Sequence, residues 1–182
     1  RRSQEGVRAV SLGPVDDLYR EVILDHHRNP RGREPLTDPD LTAEGKNPSC
    51  GDEVTLQLNF DGETITEVGV LAQGCAISTS SGSMLAELIE GRTVAEAARI
   101  AEAFRQILHG NEFPVDVDLG DLEALEGVQK FPVRVKCAVL PWVTMLDAVL
   151  AHRSGRDPRP VSTEGVNDDA APMEVNIKEN ER

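Results

Sequence analysis

Two alternating segments joined by a tight turn constrain the fold of this chain more than any other feature. Apolar residues recur at every second position over residues 54–60, which is the period of a half-buried β-strand. An Asp-Gly pair at 61–62 then supplies a hairpin turn into a second strand over residues 64–70. Because the open ends of a hairpin lie side by side, we expect Cys50 before it and Cys75 after it to come close together.

Helical periodicity predicts four helices around this hairpin. Apolar residues spaced three and four apart place them over residues 15–28, 78–89, 93–108 and 136–152. A capping-box spacing opens the third of these helices, and Asn29-Pro30 stops the first. We expect the last helix to tolerate its proline because that proline would fall in the first turn.

The remaining segments predict mostly loop. Residues 31–48 are polar and leave room for one short strand over 41–46, and residues 109–130 indicate a loop with one short helical turn. This element order predicts an α+β fold. It would have a small antiparallel sheet of at most three strands, helices packed on one face, and the functional site at one end.

Three cysteines and one aspartate are the candidate metal ligands: Cys50, Asp52, Cys75 and Cys137. Three thiolates and a carboxylate complete a tetrahedral shell around zinc or iron, and the intervening Gly51 lets the backbone curl so that two ligands reach one point. Each cysteine taken alone could instead be a small buried residue, and Asp52 could be a turn residue. Neither histidine of the first helix is counted as a ligand, because packing explains them better.

Cys137 is expected to lie at the N-terminus of the last helix. The unpaired amides there, together with Lys136 and Arg134, would favour the thiolate form that a metal needs.

Composition excludes several classes of partner and site. The formal net charge of −13 argues against a surface that binds nucleic acid or anionic lipid. No apolar run approaches a membrane span. An odd number of widely spaced cysteines is a poor disulfide framework and favours a reducing, cytoplasmic setting.

The chain is expected to contain one domain with a tail at each end. Residues 15–152 would form the domain, residues 1–14 a disordered N-terminal extension, and residues 153–182 a disordered acidic tail that lacks any apolar pattern.

Three short motifs resemble the signature segments of the SufU/IscU family of iron–sulfur biogenesis proteins. They are residues 23–31 (ILDHHRNPR), 47–52 (NPSCGD) and 74–78 (GCAIS). The resemblance covers residues 15–152 in order. It implies that the family's three cysteines and aspartate correspond to the four candidate ligands named above.

The resemblance implies one of two activities. Scaffold members hold a [2Fe-2S] cluster on these ligands, whereas SufU-type members bind Zn²⁺ and carry sulfur. Scaffolds usually have histidine before the last cysteine, where this chain has Lys136, and SufU-type members carry an insertion that residues 109–130 resemble. The zinc sulfurtransferase branch is therefore the favoured prediction.

On that branch, Cys50 is the catalytic residue that accepts persulfide sulfur from a SufS-type cysteine desulfurase. The sulfur would then pass to a SufBCD-type scaffold complex. Arg134 is a candidate for contacting the partner, although it could equally be a solvated loop residue. The alternatives are a cluster scaffold on the same ligands, with [2Fe-2S] as the cofactor, or a structural zinc domain that acts as an adaptor.

Overall fold

The computed structural model describes residues 14–164 and shows the predicted α+β architecture. The predicted N-terminal extension therefore lies outside the described residues except for Pro14, and so do residues 165–182 of the predicted tail. In chain order the elements are α1 (Pro14–Arg28), β1 (Leu41–Asn47), β2 (Asp52–Asp61), β3 (Thr64–Gln73), α2 (Ala76–Ile89), α3 (Val94–Leu108), a 3-10 helix (Gly120–Lys130), α4 (Pro132–Ser154) and β4 (Val161–Ser162).

The sheet has four strands in the order β3-β2-β1-β4. Strands β1, β2 and β3 are antiparallel neighbours, and the predicted hairpin is the β2–β3 pair. The prediction of at most three antiparallel strands is wrong by one, because the short β4 pairs in parallel with the outer side of β1. A two-residue strand is too short to show an alternating pattern, so the sequence could not predict β4. It forms because the chain after α4 runs along the edge of β1.

One face of the sheet is buried beneath the helices. Buried and exposed residues alternate strictly along β1, and Val54, Leu56 and Leu58 of β2 are buried as the sequence pattern predicts. Helices α2 and α4 pack over this face, and Phe104 of α3 meets Trp142 of α4 with ring centroids 5.6 Å apart. The Ser81 hydroxyl of α2 donates a 2.6 Å hydrogen bond to the Ala138 carbonyl of α4. The sheet and helices thus form one continuous core.

The last helix begins earlier than predicted. Helix α4 starts at Pro132 rather than Lys136, which places Cys137 in its second turn instead of at its N-terminus. Pro141 consequently lies in the helix interior rather than in the first turn. Because proline has no N–H, Pro141 cannot donate to the carbonyl of Cys137 four residues earlier. The apolar periodicity predicted this helix, but it did not predict the additional N-terminal turn over residues 132–135.

Two segments expected to be irregular contain regular structure. The 3-10 helix occupies half of the predicted 109–130 loop and buries four side chains: Leu122, Ala124, Leu125 and Val128. The chain also continues in an ordered path beyond the expected boundary at residue 152. Its Thr163 is buried, and the Thr163 amide donates to the Lys46 carbonyl of β1 at 3.1 Å. The start of the predicted disordered tail at residue 153 is therefore corrected.

Candidate metal centre

Three chain segments that carry the candidate ligands meet at one end of the sheet. Asn47 and Asp52 pair across β1 and β2, so the four-residue turn between them carries Cys50. Cys75 lies between β3 and α2, at the hairpin's open end. Cys137 reaches the same place from the second turn of α4. The predicted approach of Cys50 and Cys75 rests on strand pairing, whereas that of Cys137 depends on how α4 docks.

The donor atoms of Cys50, Asp52 and Cys137 form a compact group, called here the thiol cluster. All three lie within 4.8 Å of one another, and the Cys137 and Cys50 sulfurs are 3.1 Å apart. Asp52 and Cys137 are buried, whereas Cys50 is partly exposed. One thiol of the cluster is therefore accessible from solvent while the other two ligands lie beneath it.

Cys75 contacts the cluster through its backbone. Its amide donates a 2.9 Å hydrogen bond to Asp52 Oδ1, but its sulfur is not part of the 4.8 Å group. The preceding Gly74 has φ +155°, and a Cβ there would collide with Asp52 Oδ1. Only glycine therefore lets the chain before Cys75 pass this close to the carboxylate.

Gly51 shapes the turn between the first two candidate ligands. Its φ of +71° lies in the left-handed region, which costs free energy for residues with a Cβ. The Asn47 carbonyl accepts hydrogen bonds from the Cys50 and Gly51 amides, at 3.2 and 2.9 Å. The predicted role of Gly51 in curling the backbone agrees with this geometry.

The electrostatics of Cys137 differ from the sequence prediction. Burial raises the pKa of the Cys137 thiol, and its hydrogen bonding with Cys50 and Asp52 and the nearby charges of Cys75 and Asp52 act in the same direction. The expected stabilisation of the thiolate by a helix N-terminus is therefore wrong, since Cys137 lies a full turn further along. Without an added positive charge, this thiol stays protonated at neutral pH.

Arg134 is a cationic group beside the cluster. It lies in the first turn of α4 rather than in a loop, it is exposed, and its Nη1 is 3.9 Å from the Cys50 sulfur. Hydrogen bonding to Cys137 and the charges of the three cysteines raise the pKa of Arg134. Lys136 is half-buried one turn away from the start of the helix.

The donor set fits a thiophilic metal ion. Thiol and carboxylate donors lie close together here. A bound metal ion would displace the proton from the Cys137 thiol, whose pKa is raised by burial. Zinc binds such mixed sulfur and oxygen donors tetrahedrally. Cys50, Asp52 and Cys137 would hold it directly. Cys75 contacts this group through its amide, and its sulfur lies outside it.

A second group of metal-ligand residues lies away from this end, called here the histidine cluster. It consists of His26, Glu87 and Asp121, whose donor atoms also lie within 4.8 Å of one another. His26 is fully buried. Its Nε2 is 2.9 Å from Asp121 Oδ2, and its Nδ1 is 2.7 Å from the Ser83 hydroxyl. Both ring nitrogens of His26 therefore already have hydrogen-bond partners within the protein.

Sequence reasoning missed one residue of the metal centre, Asn47. Its side chain is buried and donates to both Asp52 Oδ2 and the Cys137 sulfur, at 3.2 and 3.4 Å. The available signal was its place at the end of a predicted strand directly before the Cys50 turn, but its partner Cys137 lies 90 positions away in sequence.

Comparison with known proteins decides the family. Residues 18–138 match the family described as the NifU-like N terminal domain. The chain belongs to this family. The match spans all three motifs and ends just after Cys137, so it includes every candidate ligand.

Relatives in the family carry both kinds of name considered from the sequence. The chain is 38% identical over 141 residues to the "Zinc-dependent sulfurtransferase SufU" of Bacillus subtilis, an alignment that covers 78% of this chain and 95% of that protein. It is 35% identical over 140 residues to the "Iron-sulfur cluster assembly scaffold protein IscU" of Streptococcus pyogenes, covering 77% and 87%. The relatives therefore support iron–sulfur cluster assembly in general more firmly than either branch.

Solved structures agree with the fold. A crystal structure of a putative iron–sulfur cluster assembly scaffold protein for the SUF system from Fervidobacterium islandicum AW-1 aligns with a TM-score of 0.68 at 38% identity. The alignment covers 71% of this chain and 94% of that one. Among residues 14–164, no helix is both long and apolar enough to cross a membrane.

Proposed function

We propose that this chain is a zinc-dependent sulfurtransferase of iron–sulfur cluster assembly. It accepts persulfide sulfur on Cys50 from a SufS-type cysteine desulfurase in the cytoplasm and passes it to a SufBCD-type complex. The observation that carries the proposal is the thiol cluster, in which Cys50 is the accessible thiol above two buried ligands. Similarity to the Bacillus relative named as a zinc-dependent sulfurtransferase supports the same branch.

The proposed ligands are Cys50, Asp52, Cys75 and Cys137. Bound zinc would keep the thiols deprotonated without redox chemistry of its own. This matters most for Cys137, because burial raises the pKa of its thiol.

Sulfur transfer requires an accessible thiolate. Cys50 and Cys75 are both partly exposed, whereas Cys137 is buried. Of the two exposed thiols we assign the acceptor role to Cys50, because its sulfur lies beside exposed Arg134 in the turn that Gly51 shapes. Its thiolate attacks the outer sulfur of the desulfurase persulfide, so a new S–S bond forms at Cys50 while the old one breaks. The electron pair of the broken bond leaves on the desulfurase cysteine as a thiolate. Sulfur changes carrier, and no external oxidant or reductant is needed.

Arg134 is proposed to contact the desulfurase. It is exposed beside the Cys50 sulfur, where a cation can attract an anionic persulfide or an acidic partner surface. Arg134→Ala should weaken desulfurase binding without removing zinc, with Arg99→Ala, an exposed arginine of α3, as the control. Equal binding by both variants would contradict this role.

The decisive experiment combines metal content with desulfurase turnover. Zinc-loaded protein should contain about one zinc per chain and accelerate the desulfurase, and stripping with a chelator should abolish the acceleration until zinc is restored. Cys50→Ala should abolish transfer, whereas Ser49→Ala, in the same turn, should not. Sulfide release retained by Cys50→Ala would rule out Cys50 as the acceptor.

A cluster scaffold is the second candidate, favoured by the similarity to the Streptococcus relative named as a scaffold. The same four residues would then hold a [2Fe-2S] cluster as the product being assembled. Anaerobic reconstitution distinguishes the two functions. A stable and transferable cluster, with no zinc-dependent activation of the desulfurase, would favour the scaffold.

A further inference from the structure

Within residues 14–164, Asn47 is the one side chain with hydrogen bonds to both buried ligands of the thiol cluster. It is the last residue of β1, it is fully buried, and it pairs with Asp52 across the sheet. Its Nδ2 lies 3.2 Å from Asp52 Oδ2 and 3.4 Å from the Cys137 sulfur. One amide group therefore links ligands that come from a strand and from a helix.

The orientation of this amide has a physical reason. Among the described residues, Asn47 Oδ1 is a buried atom with no hydrogen-bond partner. A flipped amide would direct that oxygen at a carboxylate and a sulfur, and both carry negative charge when they bind a metal. The N–H edge therefore faces the ligands, where hydrogen bonds to charged acceptors are stronger than ordinary ones.

Cys50 receives no comparable support from the Asn47 side chain. The contacts of the Cys50 sulfur within residues 14–164 are to Cys137 and to exposed Arg134, at 3.1 and 3.9 Å. Asn47 does bind the Cys50 turn, but through its backbone carbonyl, which accepts from the Cys50 and Gly51 amides. The side chain thus restrains Asp52 and Cys137 and leaves the Cys50 sulfur free to move.

We propose that Asn47 is a positioning residue that keeps Asp52 and Cys137 in the ligand set, so that Cys50 is the thiol released for reaction. The inference rests on the proposed zinc sulfurtransferase function. Groups that hydrogen-bond to metal ligands commonly change metal affinity by roughly ten- to hundredfold when they are removed. In this chain the same contacts also select which ligand leaves.

The test follows zinc release and the order of cysteine alkylation, neither of which needs the desulfurase. Zinc-loaded wild type, Asn47→Ala and Asn47→Leu are mixed with a chromogenic chelator to time release, then with limiting N-ethylmaleimide to identify labelled cysteines by mass spectrometry. Asn47→Leu keeps the side-chain size and removes the unpartnered oxygen, so it remains foldable if Asn47→Ala is not. Asn59→Ala, which removes a half-buried amide of β2 that bonds to Glu67 and to the Asp40 amide, is the control.

We expect wild type and Asn59→Ala to release zinc slowly and to label Cys50 first. The Asn47 variants should release zinc roughly ten- to hundredfold faster and label Cys137 at a rate comparable to Cys50. Unchanged release overturns the proposal. So does faster release with Cys50 still labelled first, because a general loosening of the site would not redirect the leaving thiol.

The result separates this inference from the proposed function. If wild type labels Cys137 or Cys75 first, then Cys50 is not the released thiol and the proposed acceptor fails with it. If wild type labels Cys50 first and the Asn47 variants do the same, the acceptor stands and only the role of Asn47 fails.

Discussion

The thiol cluster and the histidine cluster each bring three metal-ligand atoms within 4.8 Å, yet they are opposite kinds of site. In the thiol cluster, burial raises the pKa of Cys137, and Asn47 donates to two ligands without neutralising them. In the histidine cluster, His26 already bonds Ser83 and Asp121, and Arg31 lies 3.6 Å from Glu87. Proximity alone therefore does not distinguish a metal site from a satisfied polar contact.

The two clusters also do different work in the fold. The histidine cluster joins α1, α2 and the 3-10 helix, so its hydrogen bonds hold the segment over residues 109–130 to the body of the protein. The thiol cluster joins the ends of strands and α4. Among residues 14–164, exposed Arg134 is the one cationic side chain with a recorded contact to its donors. A bound cation would add positive charge there.

The largest expected effect is a loss of zinc affinity when a ligand of the thiol cluster is replaced. Zinc in small structural sites contributes about 10–16 kcal/mol over four ligands, so Cys137→Ser should lose about 3 kcal/mol, a roughly hundredfold weaker affinity. Competition with a chromogenic chelator measures this. A Cys137→Ser protein that still binds zinc as tightly as wild type would place the metal elsewhere, with the histidine cluster as the obvious candidate.

Breaking the histidine cluster should change stability and leave zinc in place. His26→Ala removes a fully buried ring with two hydrogen bonds, and we expect unfolding free energy to fall by about 2–3 kcal/mol. Urea unfolding of the zinc-loaded protein measures this. His27→Ala is the matched control, since that neighbouring histidine is exposed and contacts only Thr79 among the hydrogen bonds described. If His26→Ala lost zinc while His27→Ala kept it, the histidine cluster would contribute to zinc binding, and our assignment of zinc to the thiol cluster would be contradicted.

Zinc affinity at the thiol cluster should rise with pH. Burial holds the pKa of Cys137 above its ordinary value, so zinc must displace a proton from it at neutral pH. Each proton displaced makes the apparent affinity roughly tenfold weaker for every unit by which pH falls. Calorimetric titration in buffers of different ionisation enthalpy counts the protons released. Affinity independent of pH between roughly 6 and 8 would mean that the thiols are already ionised.

The smallest expected effect concerns the exposed side of the histidine cluster. Asp121 is half exposed, so its ion pair with His26 is screened, and Asp121→Asn should cost less than about 1 kcal/mol. Glu123→Gln, an exposed neighbour, is the control. A loss comparable to that of His26→Ala would show that Asp121, rather than the buried ring, holds the 3-10 helix.

Local sequence patterns predicted much of the fold. Helices α1 and α3 and the β2–β3 hairpin follow from period and turn chemistry, and the Thr93–Glu96 capping box at α3 is present with both of its hydrogen bonds. These features depend on residues within a few positions of each other. The contact between the Cys75 amide and Asp52 follows from the same pairing, because a hairpin fixes its own ends.

Residue types also determined what kind of chemistry the site could perform. Three cysteines and an aspartate favour a thiophilic metal wherever they meet, and the left-handed Gly51 turn is encoded between two of them. The family motifs lie in the same segments, so the sequence alone was enough to predict the family.

Only tertiary structure decided the rest, because the deciding contacts join residues far apart in the chain. Docking of α4 buries Cys137 and raises its pKa, reversing the prediction from its assumed place at a helix terminus. Packing against α2 and the 3-10 helix buries His26, which then hydrogen-bonds to both. Strand β4 forms because two residues pair with the edge of β1. The amide of Asn47 acquires its role only once a strand and a helix meet, which no short-range pattern encodes.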